Sequence, residues 1–146
     1  MDYIWDTNIL IHFVRSSKTY LDLDEKHNFF ALENRIFISV VSVGEIYSLA
    51  TQLDWGINKL NSLQNVLMQL SHYPINDEII LLYAKIDTYS QGKLKTHPLP
   101  EGMSARNMGK NDIWIAATAA VLDIVLLTTD NDFTHLAPRY LKILPL

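Results

Sequence analysis

The chain has 146 residues, 49% of them hydrophobic and 19% charged, with a net charge of −4 and no cysteine. That composition excludes a disordered chain, and the length fits one domain, residues 1–146, with a sizeable core. Disulfides and thiolate metal sites are out, and no apolar run approaches the ~20 residues of a membrane span. Asp2 and the lack of a basic leader argue against a signal peptide, so a cytoplasmic location is expected. The negative charge argues against passive nucleic-acid binding through a basic surface, but not against an enzyme that holds cations with carboxylates.

Tyr3-Ile4-Trp5 reads as a short buried strand, and Asp6-Thr7-Asn8 as a turn and helix cap. A short helix follows over Ile9–Val14. Ser16-Ser17 breaks it and caps a second helix over Lys18–Glu33, with Leu21, Phe29, Phe30 and Leu32 as its apolar set. Ile36–Val41 is a second buried strand. The helix after it, from Ser42 to about Leu53, carries Val43, Ile46, Tyr47 and Ala50 at i, i+3, i+4, i+7. Asp54-Trp55-Gly56 is a break. A longer helix over Ile57–Ser71 presents Leu60, Leu63, Leu67 and Leu70 on one face. The apolar residues of this helix pair suit either core or a protein interface.

Tyr73-Pro74-Ile75 is a weak third strand, placed by Pro74 at an edge or a strand start. Asn76-Asp77 caps a helix over Glu78–Ser90. Gln91 to Lys110 shows no periodicity and holds three of the five glycines and two of the five prolines. A loop of that length is functional or mobile. An alanine-rich helix over Ile113–Leu122 follows, then a strand over Ile124–Thr128, a turn at Asp130–Phe133 and a last strand over Leu141–Leu144. Alternating strands and helices, with strands apolar on both sides, imply an α/β fold with a parallel sheet covered on both faces.

In that topology the carboxyl ends of the strands share one edge, where ligands bind. Asp6 follows strand one, Glu45 lies in the first turn after strand two, Asp112 starts the helix leading into strand four, and Asp130 follows that strand. Each acid has a plain structural role open to it. Ser42-Val43-Gly44-Glu45 matches a capping box, and the three aspartates suit helix starts or turns. Four carboxylates brought together repel one another, and such a cluster is stable only around a cation. An all-oxygen set selects a hard ion, Mg²⁺ or Mn²⁺ as its substitute. The chemistry that suits such an ion best is hydrolysis of a phosphodiester, leaving a 5′-phosphate and a 3′-hydroxyl.

Asp6-Thr7-Asn8, Ser42-Val43-Gly44-Glu45-Ile46, Asn111-Asp112 with Ile115–Ala119, and Thr128–Phe133 form an ordered set. That set resembles the PIN-domain ribonucleases, and within them the VapC-like toxins of type II toxin–antitoxin systems. The resemblance implies a three-layer α/β/α sandwich with a central parallel sheet of about five strands. It also implies Mg²⁺-dependent endonuclease cleavage of RNA, a homodimer, and inhibition by a cognate VapB-like antitoxin whose arginine-bearing tail enters the acidic site. Carried across, Asp6 and Asp112 are the primary metal ligands, and Glu45 and Asp130 complete the catalytic site. Thr7, Asn8 and Thr129 support it, the threonines orienting a carboxylate or a bound water. Asp132 is read as a cap beside Phe133. The 91–110 stretch is longer than in many relatives and carries Lys93, Lys95, Arg106 and Lys110 against Glu101 alone. Arg106 and Lys110 are the candidates for RNA phosphate contact. The five histidines show no ligand spacing and are read as surface or core-edge residues.

Other functions stay open. A phosphatase of the haloacid dehalogenase type needs D-x-D after strand one, where this chain has Asn8. A receiver domain needs a lysine after its last strand, and Leu144-Pro145-Leu146 lacks one. A PIN-domain nuclease of RNA processing or DNA metabolism, and a non-catalytic PIN binding module, complete the alternatives.

Overall fold

Tyr3, Ile4 and Trp5 are each at most 4% exposed because their strand lies in the middle of the sheet. The structure, a computed structural model, describes residues 1–144. Strand β1 (Asp2–Trp5) pairs in parallel with β2 (Arg35–Ser39) on one side and β4 (Val125–Leu127) on the other. The edges are β3 (Ser71–Tyr73) beside β2 and β5 (Lys142–Ile143) beside β4. The order is β3-β2-β1-β4-β5, with every pairing parallel.

Alternation along β1 divides the core. Tyr3 and Trp5 pack with residues of α1 (Thr7–Val14), α2 (Lys18–His27), α3 (Val40–Gln52) and α4 (Ile57–Gln69). Ile4 faces the opposite layer, built from α5 (Asp77–Ser90), α6 (Lys110–Leu122) and the 3-10 helix Asn131–Leu136. The result is the three-layer sandwich with five parallel strands that the resemblance implies. No helix among the described residues is long and apolar enough to cross a membrane.

Several boundaries differ from the sequence reading, each for a local reason. Helix α2 ends at His27 instead of Glu33. Asn28 adopts the left-handed conformation at φ 46° and returns its N–H to the Asp24 carbonyl, while Asp24 Oδ1 accepts from Phe29 N–H. The chain then turns Phe29 inward against Tyr3 and Trp5 and leaves Leu32 fully exposed. Strand β2 ends before Val40, so α3 starts earlier than expected. Its cap is Ser39, whose Oγ accepts from Val41 N–H at 3.2 Å. Ser42 is therefore inside the helix, its Oγ buried and without a partner, and the capping box does not form. Strand β3 precedes Pro74, which cannot extend the ladder, and it does occupy an edge. Helix α6 begins three residues early, at Lys110. The Pro145-Leu146 end, cited against a receiver domain, lies outside the described residues.

The two serines give a direct check by chemical denaturation. Ser39→Ala is expected to lower stability by about 1 kcal/mol. Ser42→Ala removes a buried, unpaired hydroxyl and is expected to be neutral or stabilising. The reverse order would restore the capping box.

Candidate active site

Asp6 stands where β1 hands over to α1. Its own N–H donates to the Leu127 carbonyl at 3.0 Å, carrying the β1–β4 pairing one step past Trp5. The side chain is 3% exposed, and both oxygens are engaged: Oδ1 accepts from Thr7 N–H at 2.7 Å and Oδ2 from Thr128 Oγ1 at 2.8 Å. Thr128 follows β4, and its Oγ1 also accepts from Asp130 N–H at 2.9 Å. One hydroxyl thus ties the carboxyl ends of the two central strands together. Asp130 caps the 3-10 helix through Oδ1, which accepts from Asp132 N–H at 2.8 Å.

Glu45 lies in the second turn of α3, one turn later than the sequence suggests, because that helix starts at Val40. Its Oε1 accepts from Thr7 Oγ1 at 2.8 Å. Asp112 is in the first turn of α6 and makes no cap hydrogen bond. The place a side chain at Gly109 would take is 3.4 Å from Asp112 Oδ2, so the glycine leaves room beside that carboxylate.

Asp6, Glu45, Asp112 and Asp130 all line one cavity of about 750 Å³, together with Thr7, Asn8, Asn111 and the α3 residues Gly44, Ser48 and Gln52. Among the described residues no lysine or arginine neutralises them. The salt bridges among the described residues join Lys18 to Asp22, Arg35 to Asp2 and Lys142 to Asp123. Burial pushes the Asp6 carboxyl up to about 6, against the opposing hydrogen bonds from Thr128 and Thr7. Burial, reinforced by Asp6, Asp130, Glu45 and Asp132, pushes Asp112 up to about 7.

Oxygens of Asp112, Asp130 and Asp132 lie within 4.8 Å of one another. An uncompensated all-oxygen group at that spacing fits a hard divalent cation. Asp132, read from sequence as a cap, is thus a member of the cluster, and the cap is Asp130. The T-D-N-D turn contained the signal: acids two apart at a tight turn can face the same side.

Two expectations need correction, for Thr129 and for His135, and the two cationic candidates stand apart from the acids. The threonine on the Asp6 carboxylate is Thr128, whereas Thr129 makes no hydrogen bond to any of the acids. Arg106 does not line the acidic cavity. It borders a second one of about 470 Å³ with Glu101, Ser104, Thr134 and His135, while Lys110 is exposed at the start of α6. His135 is not a surface residue. It is 4% exposed, its Nε2 lies 2.7 Å from Ser90 Oγ, and burial, with the positive charge of Arg106, lowers its pKa. His12, His72 and His97 keep to partly or fully exposed positions.

The sequence profile of the PIN domain matches residues 3–138. Solved structures share the fold. VapBC2 from Rickettsia felis, bound to a DNA fragment from its promoter, aligns over 99% of this chain and 98% of its own with 21% identity and a TM-score of 0.74. VapBC-1 from nontypeable Haemophilus influenzae aligns over 99% and 97%, with 22% identity and a TM-score of 0.72. VapBC-5 from Mycobacterium tuberculosis, of the VapBC family of toxin–antitoxin systems, aligns over 99% and 98%, with 21% identity and a TM-score of 0.66. No curated protein matches the chain.

The raised carboxyls make a signed prediction for the metal-free protein. A carboxyl with a raised folded-state pKa is neutral, and harmless to stability, below its unfolded value of 3.8. The charging penalty builds as pH rises and is complete above about 7 for Asp112. Asp112→Asn in EDTA should therefore raise Tm by a few degrees at pH 8, with the gain shrinking toward pH 4. A gain independent of pH would contradict this electrostatic picture.

Proposed function

From the premise that this chain belongs to the PIN domain family, we propose that it is a Mg²⁺-dependent endoribonuclease, with Mn²⁺ as a substitute, and the toxin of a VapBC-type pair. The observation that carries this reading is the meeting of four carboxylates from four separate segments in one cavity that contains no cationic side chain among the described residues. Capping accounts for Asp130 and part of Asp6, but not for Glu45 or Asp112. Nor does it account for the burial of charge.

In this reading Asp6 and Asp112, with Glu45 and Asp130, hold the cation, and Asp132 joins them through its place beside Asp112 and Asp130. A bound divalent ion supplies Lewis-acid stabilisation of the charge that builds on the phosphodiester oxygens, and it acidifies water. The protein supplies placement. The Thr7 amide and the Thr128 hydroxyl fix the Asp6 carboxylate, and the Thr7 hydroxyl fixes Glu45. Asn8, Asn111, Ser48 and Gln52 offer neutral hydrogen-bonding groups around the substrate. RNA phosphates outside the acidic cavity meet Arg106 and Lys110, both exposed.

The same surfaces support the partner that the resemblance implies. A cognate VapB-like antitoxin inhibits by placing an arginine in the acidic cavity, where a guanidinium meets uncompensated carboxylates. Helix α3 continues from that cavity to an apolar groove lined by Val43, Tyr47, Leu67, Met68 and Leu70, which offers the antitoxin a second foothold. The solved VapBC structures of the same fold and nearly the same length support this pairing. The toxin acts as a cytoplasmic homodimer.

Incubated with total tRNA and rRNA in Mg²⁺, the protein should produce fragments with 5′-phosphate ends. Cleavage should vanish in EDTA and fall at least ~100-fold in Asp6→Asn, the scale on which loss of an electrostatic catalytic group acts. Charge reversal at Arg106 and Lys110 should weaken RNA affinity while leaving cation binding intact. Cleavage that persists in EDTA would refute the metal nuclease, and cleavage of DNA alone would favour a role in DNA metabolism.

A further inference from the structure

Ser90 closes α5 and is fully buried. Its carbonyl accepts from Arg106 N–H at 2.7 Å, and its Oγ donates to the Arg106 carbonyl at 3.0 Å. These two bonds clip the far part of the irregular 91–109 segment back onto the end of the helix it leaves. The rest of that segment is held by Leu94, Leu99 and Met108, which pack on the second core cluster.

On its other side, Ser90 Oγ lies 2.7 Å from His135 Nε2. A hydroxyl has one hydrogen. With that hydrogen given to the Arg106 carbonyl, the oxygen accepts from Nε2–H, so the network places a hydrogen on Nε2. Nδ1 is buried and makes no hydrogen bond of full geometry, although the Asp132 backbone stands close enough to oppose the effect of burial on the ring. The ring therefore links Ser90 to the 3-10 helix in a way that an apolar side chain of similar size would not.

What it joins are the two candidate substrate-contacting regions. His135 sits near the end of the 3-10 helix, and Asp130 and Asp132 sit at its start. At about 2.0 Å of rise per residue, His135 lies about 6–10 Å along the axis from the two aspartates, a separation of nucleotide scale. Asp130 lines the acidic cavity, while His135 and Arg106 line the second one. Among the described residues the Arg106 guanidinium belongs to no salt bridge. Glu101, in the same cavity, leaves it unpaired.

We propose that Ser90 and His135 are positioning residues that fasten Arg106 to the acid-bearing 3-10 helix. The guanidinium then takes one backbone phosphate while a nearby phosphate of the same strand occupies the acidic cavity. This rests on the nuclease reading above. The pair acts on how the strand is held, so its loss raises KM and leaves kcat and cation affinity close to their original values.

The test uses the full chain and three variants. Ser90→Ala removes the hydroxyl and leaves Nε2–H unpaired. Ser90→Ala/His135→Leu removes both partners, a change that tends to be near neutral for stability. Ser90→Thr retains the hydroxyl as the conservative control. RNA affinity is measured in an Asp6→Asn background, Mn²⁺ affinity by calorimetry without that change, and loop order by amide hydrogen exchange. Loss of a neutral hydrogen bond corresponds to roughly five- to tenfold, the weakening of RNA binding expected for Ser90→Ala and for the double variant. Mn²⁺ affinity should stay within about twofold of the parent by the same measure, Ser90→Thr should recover most of the loss, and Arg106→Ala should add little on top of the double variant. Unchanged RNA affinity in the double variant, or parallel loss of Mn²⁺ affinity, overturns the proposal. If the parent binds no RNA at all, the nuclease reading fails separately, and exchange then decides on the fastening. Faster exchange confined to residues 91–109 in the double variant upholds it, and unchanged exchange there rejects it.

Discussion

The contact on which this structure depends is the carboxylate of Asp6, held between the Thr7 amide and the Thr128 hydroxyl at the carboxyl end of the central strand. It is a buried anion among other anions, so its pKa is raised even though two donors stabilise its charge. The parallel ladder decides this. Strands β1 and β4 end side by side, and the chain leaves each through a polar turn, so Asp6, Thr128 and Asp130 must share one small volume. The starts of α3 and α6 enter the same edge with Glu45 and Asp112. The acidic cavity follows from the topology together with the choice of carboxylates where a neutral cap would have served.

That choice works against stability unless the charge is answered from outside. The fold tolerates it because the opposing energy lies in the two core clusters on the faces of the sheet. Helix α3 shows the division of labour. One side, with Ile46 and Ala50, packs into the core. Glu45, Ser48 and Gln52 line the cavity, and Val43 and Tyr47 line the apolar groove. A single helix therefore links the proposed catalytic and antitoxin-binding surfaces, which gives an inhibitor that grips the groove a short path to the acids.

The layer order, the parallel sheet and the shared edge were legible in the sequence, because buried strands read as apolar runs and the acids sit at strand-to-helix junctions. What could not be read was decided by single backbone states and tertiary partners. Asn28 ended α2 by turning left-handed, which no apolar spacing announces. Ser42 was the cap the sequence suggested, and the three-dimensional end of β2 gave the role to Ser39. Thr128 and Thr129 are adjacent, and only the pleat determines which faces Asp6. Asp132 was hidden by its resemblance to a cap. The Ser90–His135 contact joins residues 45 apart in sequence, a pairing that periodicity cannot show.

The central claim is that these acids are assembled to hold a divalent cation, and calorimetric titration of the folded chain with Mn²⁺, in two buffers of different ionisation enthalpy near pH 6.5, tests it most directly. The account predicts saturable binding with release of protons, because Asp6 and Asp112 are partly protonated there and must ionise to bind. It also predicts that Asp112→Asn weakens the binding and reduces the proton release. Absence of binding by well-folded protein, or binding indifferent to Asp112→Asn and without proton release, would contradict it.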